Sequence, residues 1–148
     1  MTAPPLDDTY FMKQALAEAR TAASEGEIPV GAVIVCNNQV IARAHNQTEL
    51  LNDATAHAEI LAVTAASGTL GAKYLTECTL YVTVEPCVMC AGAIGWAQLS
   101  KVVYGAGDEK RGFRRYAPQA LHPKTVVLSG VLEAECAEEM QKFFRERR

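Results

Sequence analysis

Two short stretches hold side chains that could do chemistry. In Pro86-Cys87-Val88-Met89-Cys90 two thiols stand three residues apart, directly after Thr79 to Val84 (TLYVTV), a run apolar enough for a strand buried on both faces. A helix is expected to start there, and positions i and i+3 of its first turn face the same way. The unpaired amides of that turn lower thiol pKa and favour thiolates. Two thiolates so placed mean a metal site or a redox dithiol, and the pair alone leaves both open. Thirty residues before Cys87 comes His57-Ala58-Glu59, again at an expected helix start. One imidazole and two thiolates supply three borderline-to-soft ligands, a set that suits tetrahedral zinc with a fourth position left for water. A closed structural site would need a fourth ligand, and neither Cys78 nor another histidine has matching spacing. Residues two apart on an ideal helix point to nearly opposite sides, so Glu59 shares a pocket with His57 only if His57 stands at the very N-terminus. In that geometry Glu59 lies beside the metal without ligating it, and can carry a proton from water to a leaving group.

The elements that must position these groups are legible as alternating patterns. Apolar residues recur at steps of three and four from Thr9 to Ser24, an amphipathic helix closed by Gly26 and Pro29. Strands are expected at 32–36 and 39–45, joined at Asn37-Asn38, a pair that tolerates the positive φ of a tight hairpin. A second helix is expected over 57–66, a strand over 79–84, and a third helix over 87–99 that is apolar almost all round. Two more strands follow at 101–104 and 125–128, separated by the basic stretch GAGDEKRGFRRYAPQALHP, and a last amphipathic helix runs over 132–147. This order predicts an α/β protein with a mixed five-stranded sheet and helices on both faces, a three-layer α-β-α arrangement in one domain over residues 1–148. Sites in such folds gather at strand ends and helix starts, where both motifs lie.

Composition bounds the function. At 148 residues, 49% hydrophobic and 21% charged with 6 prolines, the chain is globular rather than disordered, collagen-like or coiled coil. No apolar run approaches the roughly 18 residues that cross a bilayer, and the start MTAPPLDDTYF is acidic where a signal peptide is basic then apolar, so a soluble, cytoplasmic protein without membrane contact is expected. Five cysteines, an odd number, argue against a disulfide framework, and Cys36, Cys78 and Cys136 read as small buried hydrophobes. The net charge of −3 disfavours a polyanionic partner when taken whole. Split by position it reads differently: residues 1–100 hold four bases and ten acids, residues 101–148 ten bases and seven acids. From Lys101 to Lys124 six bases face two acids, interleaved with Phe113 and Tyr116, which suits phosphate contact and base stacking in a single-stranded loop.

His-x-Glu followed by Pro-Cys-x-x-Cys resembles the signature of the zinc-dependent cytidine and deoxycytidylate deaminase superfamily, over nearly the whole chain. GEIPVGAVIV, TAHAEI, TLYVTVEPCVMCAGAI, VVYGAGDEKRG and GVLEAECAEEMQKFFRERR are similar, more specifically, to its bacterial branch acting on tRNA adenosine. The resemblance implies a cytidine-deaminase-like fold, one zinc ion per subunit held by His57, Cys87 and Cys90, and Glu59 as proton shuttle. It implies hydrolysis of adenosine to inosine at the wobble position, with the tRNA anticodon arm as partner and a homodimer as the assembly. It places Asn46 on the purine edge, the Ala58 backbone amide beside it, and Asp108 at a flanking nucleotide; Lys110, Arg114 and Arg115 complete the expected substrate contacts. Two departures stand out: Ala54 replaces the usual proline, and the loop between Gly112 and Thr125 is shortened and lacks an Asn-His pair, carrying Gln119 to Pro123 instead. That loop is expected to help form the substrate mouth. The alternatives are a deaminase of free guanine or cytosine on the same scaffold, and a dithiol redox or zinc-binding module with no use for Glu59.

Overall fold

The computed structural model describes residues 6–147; residues 1–5 and 148 lie outside it, and with them part of the acidic start and both ends of the expected 1–148 unit. Helix α1 (Asp8–Ser24) starts at Asp7, whose carboxylate accepts from the Tyr10 amide at 2.9 Å. Its buried residues, Phe11, Met12, Ala15, Leu16, Ala19 and Ala22, follow the expected three-and-four spacing. Strands β1 (Gly31–Cys36) and β2 (Gln39–His45) form the expected hairpin, turned by Asn37 and Asn38 at φ 53° and 60°. The chain continues through α2 (Ala58–Leu70), β3 (Cys78–Val84), α3 (Val88–Ala97), β4 (Lys101–Ala106), α4 (Phe113–Tyr116), β5 (Val126–Ser129) and α5 (Glu133–Arg145).

The sheet order is β2-β1-β3-β4-β5. β1 is antiparallel to both β2 and β3, whereas β3, β4 and β5 run parallel, so the sheet is mixed as expected. Alternation along the strands sorts the core into two layers. Ala32, Ile34, Leu80, Val82, Val102 and Tyr104 pack with residues of α2 and α3. Val33, Val35, Tyr81 and Val103 pack with α1 and with Cys136 of α5. Burying each Val, Leu or Ile contributes about 1.5–3 kcal/mol, so these two layers fix where the strand ends stand. The parallel pair β3 and β4 carries its carboxyl ends to one edge, and α3 starts from it.

Several details differ from the sequence expectation. α2 runs through Ser67-Gly68 to Leu70, because an exposed helical glycine costs only about 1 kcal/mol relative to alanine. It stops at Gly71, whose φ of 63° supplies the left-handed cap. α3 begins one residue later than expected and ends at Ala97, where Gln98 turns left-handed. The basic stretch, expected as loop, contains the one-turn helix α4. β5 is an edge strand whose four residues are all exposed. No helix among the described residues is long and apolar enough to cross a membrane. The five cysteines are free, with Cys78 and Cys136 buried as small hydrophobes and Cys36 partly so.

Candidate active site

The two sequence motifs meet at the starts of two helices. His57 is the N-cap of α2, in extended backbone at φ −75° and ψ 153°, and Cys87 is the N-cap of α3 at φ −73° and ψ 174°. Neither side chain caps its own helix. Histidine and cysteine are not favoured caps, so each start forgoes about 1 kcal/mol that Ser or Asp would provide, and both side chains stay free to face each other. Nδ1 of His57 lies 3.7 Å from Sγ of Cys87 and 3.5 Å from Sγ of Cys90. Ligand atoms of all three residues fall within 4.8 Å of one another. Tetrahedral zinc with bonds of about 2.3 Å to sulfur and about 2.0–2.1 Å to nitrogen needs S···N separations of about 3.6 Å, so this donor set fits that ion in type and spacing.

His57 lies before the first helical turn, so the opposed directions of residues two apart on a helix do not apply, and Glu59 enters the same cleft. Glu59 is 4% exposed. Burial is the main cause that pushes its carboxyl up to about 7, reinforced by negative charge at Cys87 and opposed by His57. The Cys87 sulfur is held down at about 4, chiefly by hydrogen bonding to Cys90, with burial opposing and His57 assisting. Cys90, facing that sulfur and buried, is pushed strongly up, and the hydrogen bond to Cys87 raises the His57 imidazole.

His57, Glu59 and Cys87 line a cleft of about 880 Å³, with Cys90 buried behind them. Ile28, Val30, Asn46 and Thr48 form one wall, and Gly107 to Arg111 form a second. The third is α5, through Ala137, Met140, Gln141 and Phe144, whose spacing is one helical face. Asn46, Ala58, Asp108 and Lys110 all line the cleft. Asn46 is buried, its backbone N–H donating to the Val30 carbonyl at 3.1 Å. Asp108 Oδ1 accepts from the Lys110 and Arg111 amides, each at 3.0 Å, and so shapes its own loop.

The other expected contacts are placed elsewhere. Arg114 does not line the cleft: its guanidinium donates to Glu85 Oε1 at 3.0 Å and lies 5.4 Å from the Tyr104 ring centre. Arg115 also lies outside the lining, its guanidinium on the Glu109 carbonyl at 3.1 Å. Phe113 is 3% exposed, a core residue rather than a stacking platform, whereas Tyr116 is exposed. The shortened loop does not reach the mouth either, since no residue from 113 to 124 lines the cleft. It packs on α3 instead, with the Ala120 carbonyl so near Gly95 that a Cβ there would collide with it.

Two buried carboxylates that sequence reasoning passed over hold the walls. Glu27 accepts from the Glu49 amide at 3.0 Å and the Leu50 amide at 2.8 Å, fixing the loop that links Asn46 to His57. Glu85 accepts from the Asp108 amide and from Arg114. The available signal was a charge set against buried neighbours: Glu85 directly follows the apolar strand β3, and Glu27 sits in the apolar segment that leads into β1. The α5 wall was visible only as an amphipathic helix.

Comparison with known proteins adds four findings. The profile of the MafB19-like deaminases matches residues 6–148. A tRNA-specific adenosine deaminase of Agrobacterium fabrum (strain C58 / ATCC 33970) is 46% identical over 145 residues, 95% of each chain. Among solved structures, one from studies of A-to-I editing by tRNA:A34 deaminases at the wobble position superposes with a TM-score of 0.83 at 45% identity, covering 88% of this chain and 99% of that one. The guanine deaminase of Bacillus subtilis superposes less fully, with a TM-score of 0.66 at 43% identity over 68% of this chain and 65% of that one.

Proposed function

The chain belongs to the MafB19-like deaminase family, and from that membership we propose that it hydrolyses adenosine to inosine at the wobble position of a tRNA anticodon. The observation that carries the reaction is the conjunction of His57, Cys87 and Cys90 with a buried Glu59 in one cleft. The substrate rests on the 45–46% identity to tRNA deaminases along nearly all of both chains. A redox role for the thiol pair leaves unexplained why a carboxyl is buried beside it.

In this reading His57 Nδ1 and the two sulfurs hold one zinc ion per subunit. Bound there, zinc supplies the Lewis acidity that makes water a nucleophile near neutral pH. Burial pushes the Glu59 carboxyl above the usual carboxylate range, which suits a group that must both accept and donate a proton. Glu59 takes a proton from the attacking water and places it on the purine ring nitrogen next to C6, then takes the second proton from the hydroxyl now on C6 and passes it to the amino group, which leaves as ammonia as the C6–N bond breaks. Ala58 is the first residue of α2, so its amide has no partner within the helix and is available to the purine. The Asn46 side chain holds the other edge of the base. Asp108 Oδ2, Lys110 and Arg111 meet the flanking nucleotides at the mouth. An anticodon loop presents bases already splayed, which keeps the unstacking cost low.

The exposed apolar residues of α3 support a homodimer. Trp96 is 83% exposed, with Val88 and Met89 exposed on the same helix. A cytoplasmic location fits the tRNA partner.

The test offers the purified protein, with its zinc content measured, an arginine tRNA anticodon stem-loop in one set of reactions and free guanine or cytosine in another. Ammonia release from the stem-loop is expected. Ammonia from a free base with the stem-loop untouched would replace this reading with the free-base alternative.

A further inference from the structure

Glu85 takes no part in the proton transfers assigned to Glu59, yet its carboxylate is buried at the cleft wall with its side chain 2% exposed. A carboxylate taken out of water is tolerated only when its oxygens are filled by donors. Here the donors come from the two ends of one segment. Oε1 accepts from the Asp108 amide at 3.1 Å and from Arg114 Nη2 at 3.0 Å, and Oε2 accepts from the Arg114 amide at 3.1 Å. Between those ends Glu109, Lys110 and Arg111 line the mouth. The segment also closes on the residues that follow Glu85. Gly112 forms a bridge with Cys87, and the Phe113 amide donates to the Pro86 carbonyl at 2.9 Å. Gly112 presses so near the carboxylate that any Cβ there would overlap it.

We propose that Glu85 is the positioning residue of the substrate mouth: its carboxylate grips both ends of the 108–114 segment, so that Asp108, Lys110 and Arg111 meet the nucleotides beside the target adenosine in one fixed arrangement. The inference rests on the RNA-deaminase reading for its substrate. A loop already held in its binding shape does not spend ordering entropy when RNA docks, so the grip acts on substrate affinity rather than on the chemical step. The same contacts assign Arg114. Its guanidinium, 56% exposed, is committed to Glu85, so the phosphate-facing charge at the mouth comes from Lys110 and Arg111.

The test compares Glu85→Gln and Arg114→Gln with the wild type on an anticodon stem-loop, with zinc content and thermal unfolding measured alongside. Glu85→Gln sets a donor against one of the backbone amides and frees one end of the segment. KM is expected to rise about tenfold while kcat changes less than about threefold, with one zinc per chain retained. Arg114→Gln keeps both amide bonds, so KM is expected to rise no more than about threefold and the salt dependence of binding to stay unchanged. Hydrogen exchange on the wild type reads the grip without any variant, and slow exchange at the Asp108 and Arg114 amides is expected. The proposal is overturned by a KM for Glu85→Gln within about twofold of wild type, by a fall in kcat without a rise in KM, or by loss of zinc. Exchange at open-loop rates for both amides overturns it too, even if Glu85→Gln fails to fold. A salt slope lowered by about one in Arg114→Gln would return that arginine to the phosphate. A wild type inert toward the stem-loop fails the RNA reading instead, and the exchange rates still decide the grip.

Discussion

His57 and Cys87 occupy the same place in two different helices: each is the extended residue before the first turn, and Nδ1 of one lies 3.7 Å from Sγ of the other. Two helix N-termini therefore converge on one point, and their free amides favour the negative charge that thiolates and a developing alkoxide both carry. Removing either ligand should cost metal and activity together. In Cys90→Ser or His57→Ala, zinc by elemental analysis is expected to fall well below one per chain, with deamination lower by a factor on the order of 10³ or more. Chelator treatment of the wild type should do the same and lower the unfolding temperature, as expected of an ion that binds the folded chain in preference to the unfolded one.

Glu59 separates hydrolysis from every reading that needs only the thiols. Glu59→Gln keeps the size of a side chain that is buried at the cleft wall and removes the proton carrier. Deamination should drop by about 10²–10⁴-fold with zinc retained. Unchanged turnover in that variant would leave the buried carboxyl without a role and favour a thiol-based function.

Glu27 makes a prediction about stability. Its two oxygens hold the Glu49 and Leu50 amides, and Glu27→Ala removes the buried carboxylate that ties this exposed loop to the body of the protein. The expected loss is about 1–3 kcal/mol in denaturant unfolding, together with weaker substrate binding because Asn46 sits at the start of the same loop. An unfolding midpoint equal to wild type would show that water replaces the carboxylate at no cost.

His45 sets a pH dependence away from the catalytic groups. Burial alone would lower its pKa, but Glu25 at 2.8 Å and Glu18 at 3.2 Å outweigh it and raise the imidazole above its usual value. A raised histidine contributes stability that is fully present below the unfolded-state pKa and is lost as pH rises through the folded-state value. Stability measured from pH 6 to 8 should therefore decline more in the wild type than in His45→Gln. Parallel pH curves would show that these contacts add nothing; the partial exposure of Glu25 keeps the expected effect small.

Trp96 tests the assembly. Trp96→Glu places a charge on the exposed face of α3, and sedimentation at micromolar concentration should change from dimer to monomer. A wild type already monomeric there would refute the homodimer.

How much of this was legible in the sequence depended on whether a residue's role is local. The hairpin at Asn37-Asn38, the buried strand before Pro86 and the Cys87–Cys90 pair follow from nearest neighbours along the chain, and the structure has them where the pattern put them. The sequence could not show where Arg114 and Phe113 point, because a basic-aromatic stretch looks alike whichever way its side chains turn. Phe113 entered the core under α3, and Arg114 turned back to a carboxylate 29 residues earlier. The α5 wall was hidden for the same reason. Spacing shows that Met140 and Phe144 share a face, but only the sheet topology determines that the face borders the cleft that holds Glu59.

The central claim is that His57, Cys87, Cys90 and Glu59 together deaminate one adenosine of a tRNA anticodon. The most direct measurement is mass spectrometry of a nuclease digest of an arginine tRNA stem-loop after incubation with zinc-loaded protein, with ammonia counted in the same reaction. Inosine at the first anticodon position alone, one ammonia per inosine, and neither product with Glu59→Gln is the predicted result. An unmodified stem-loop from protein that carries its zinc and releases ammonia from guanine would contradict it.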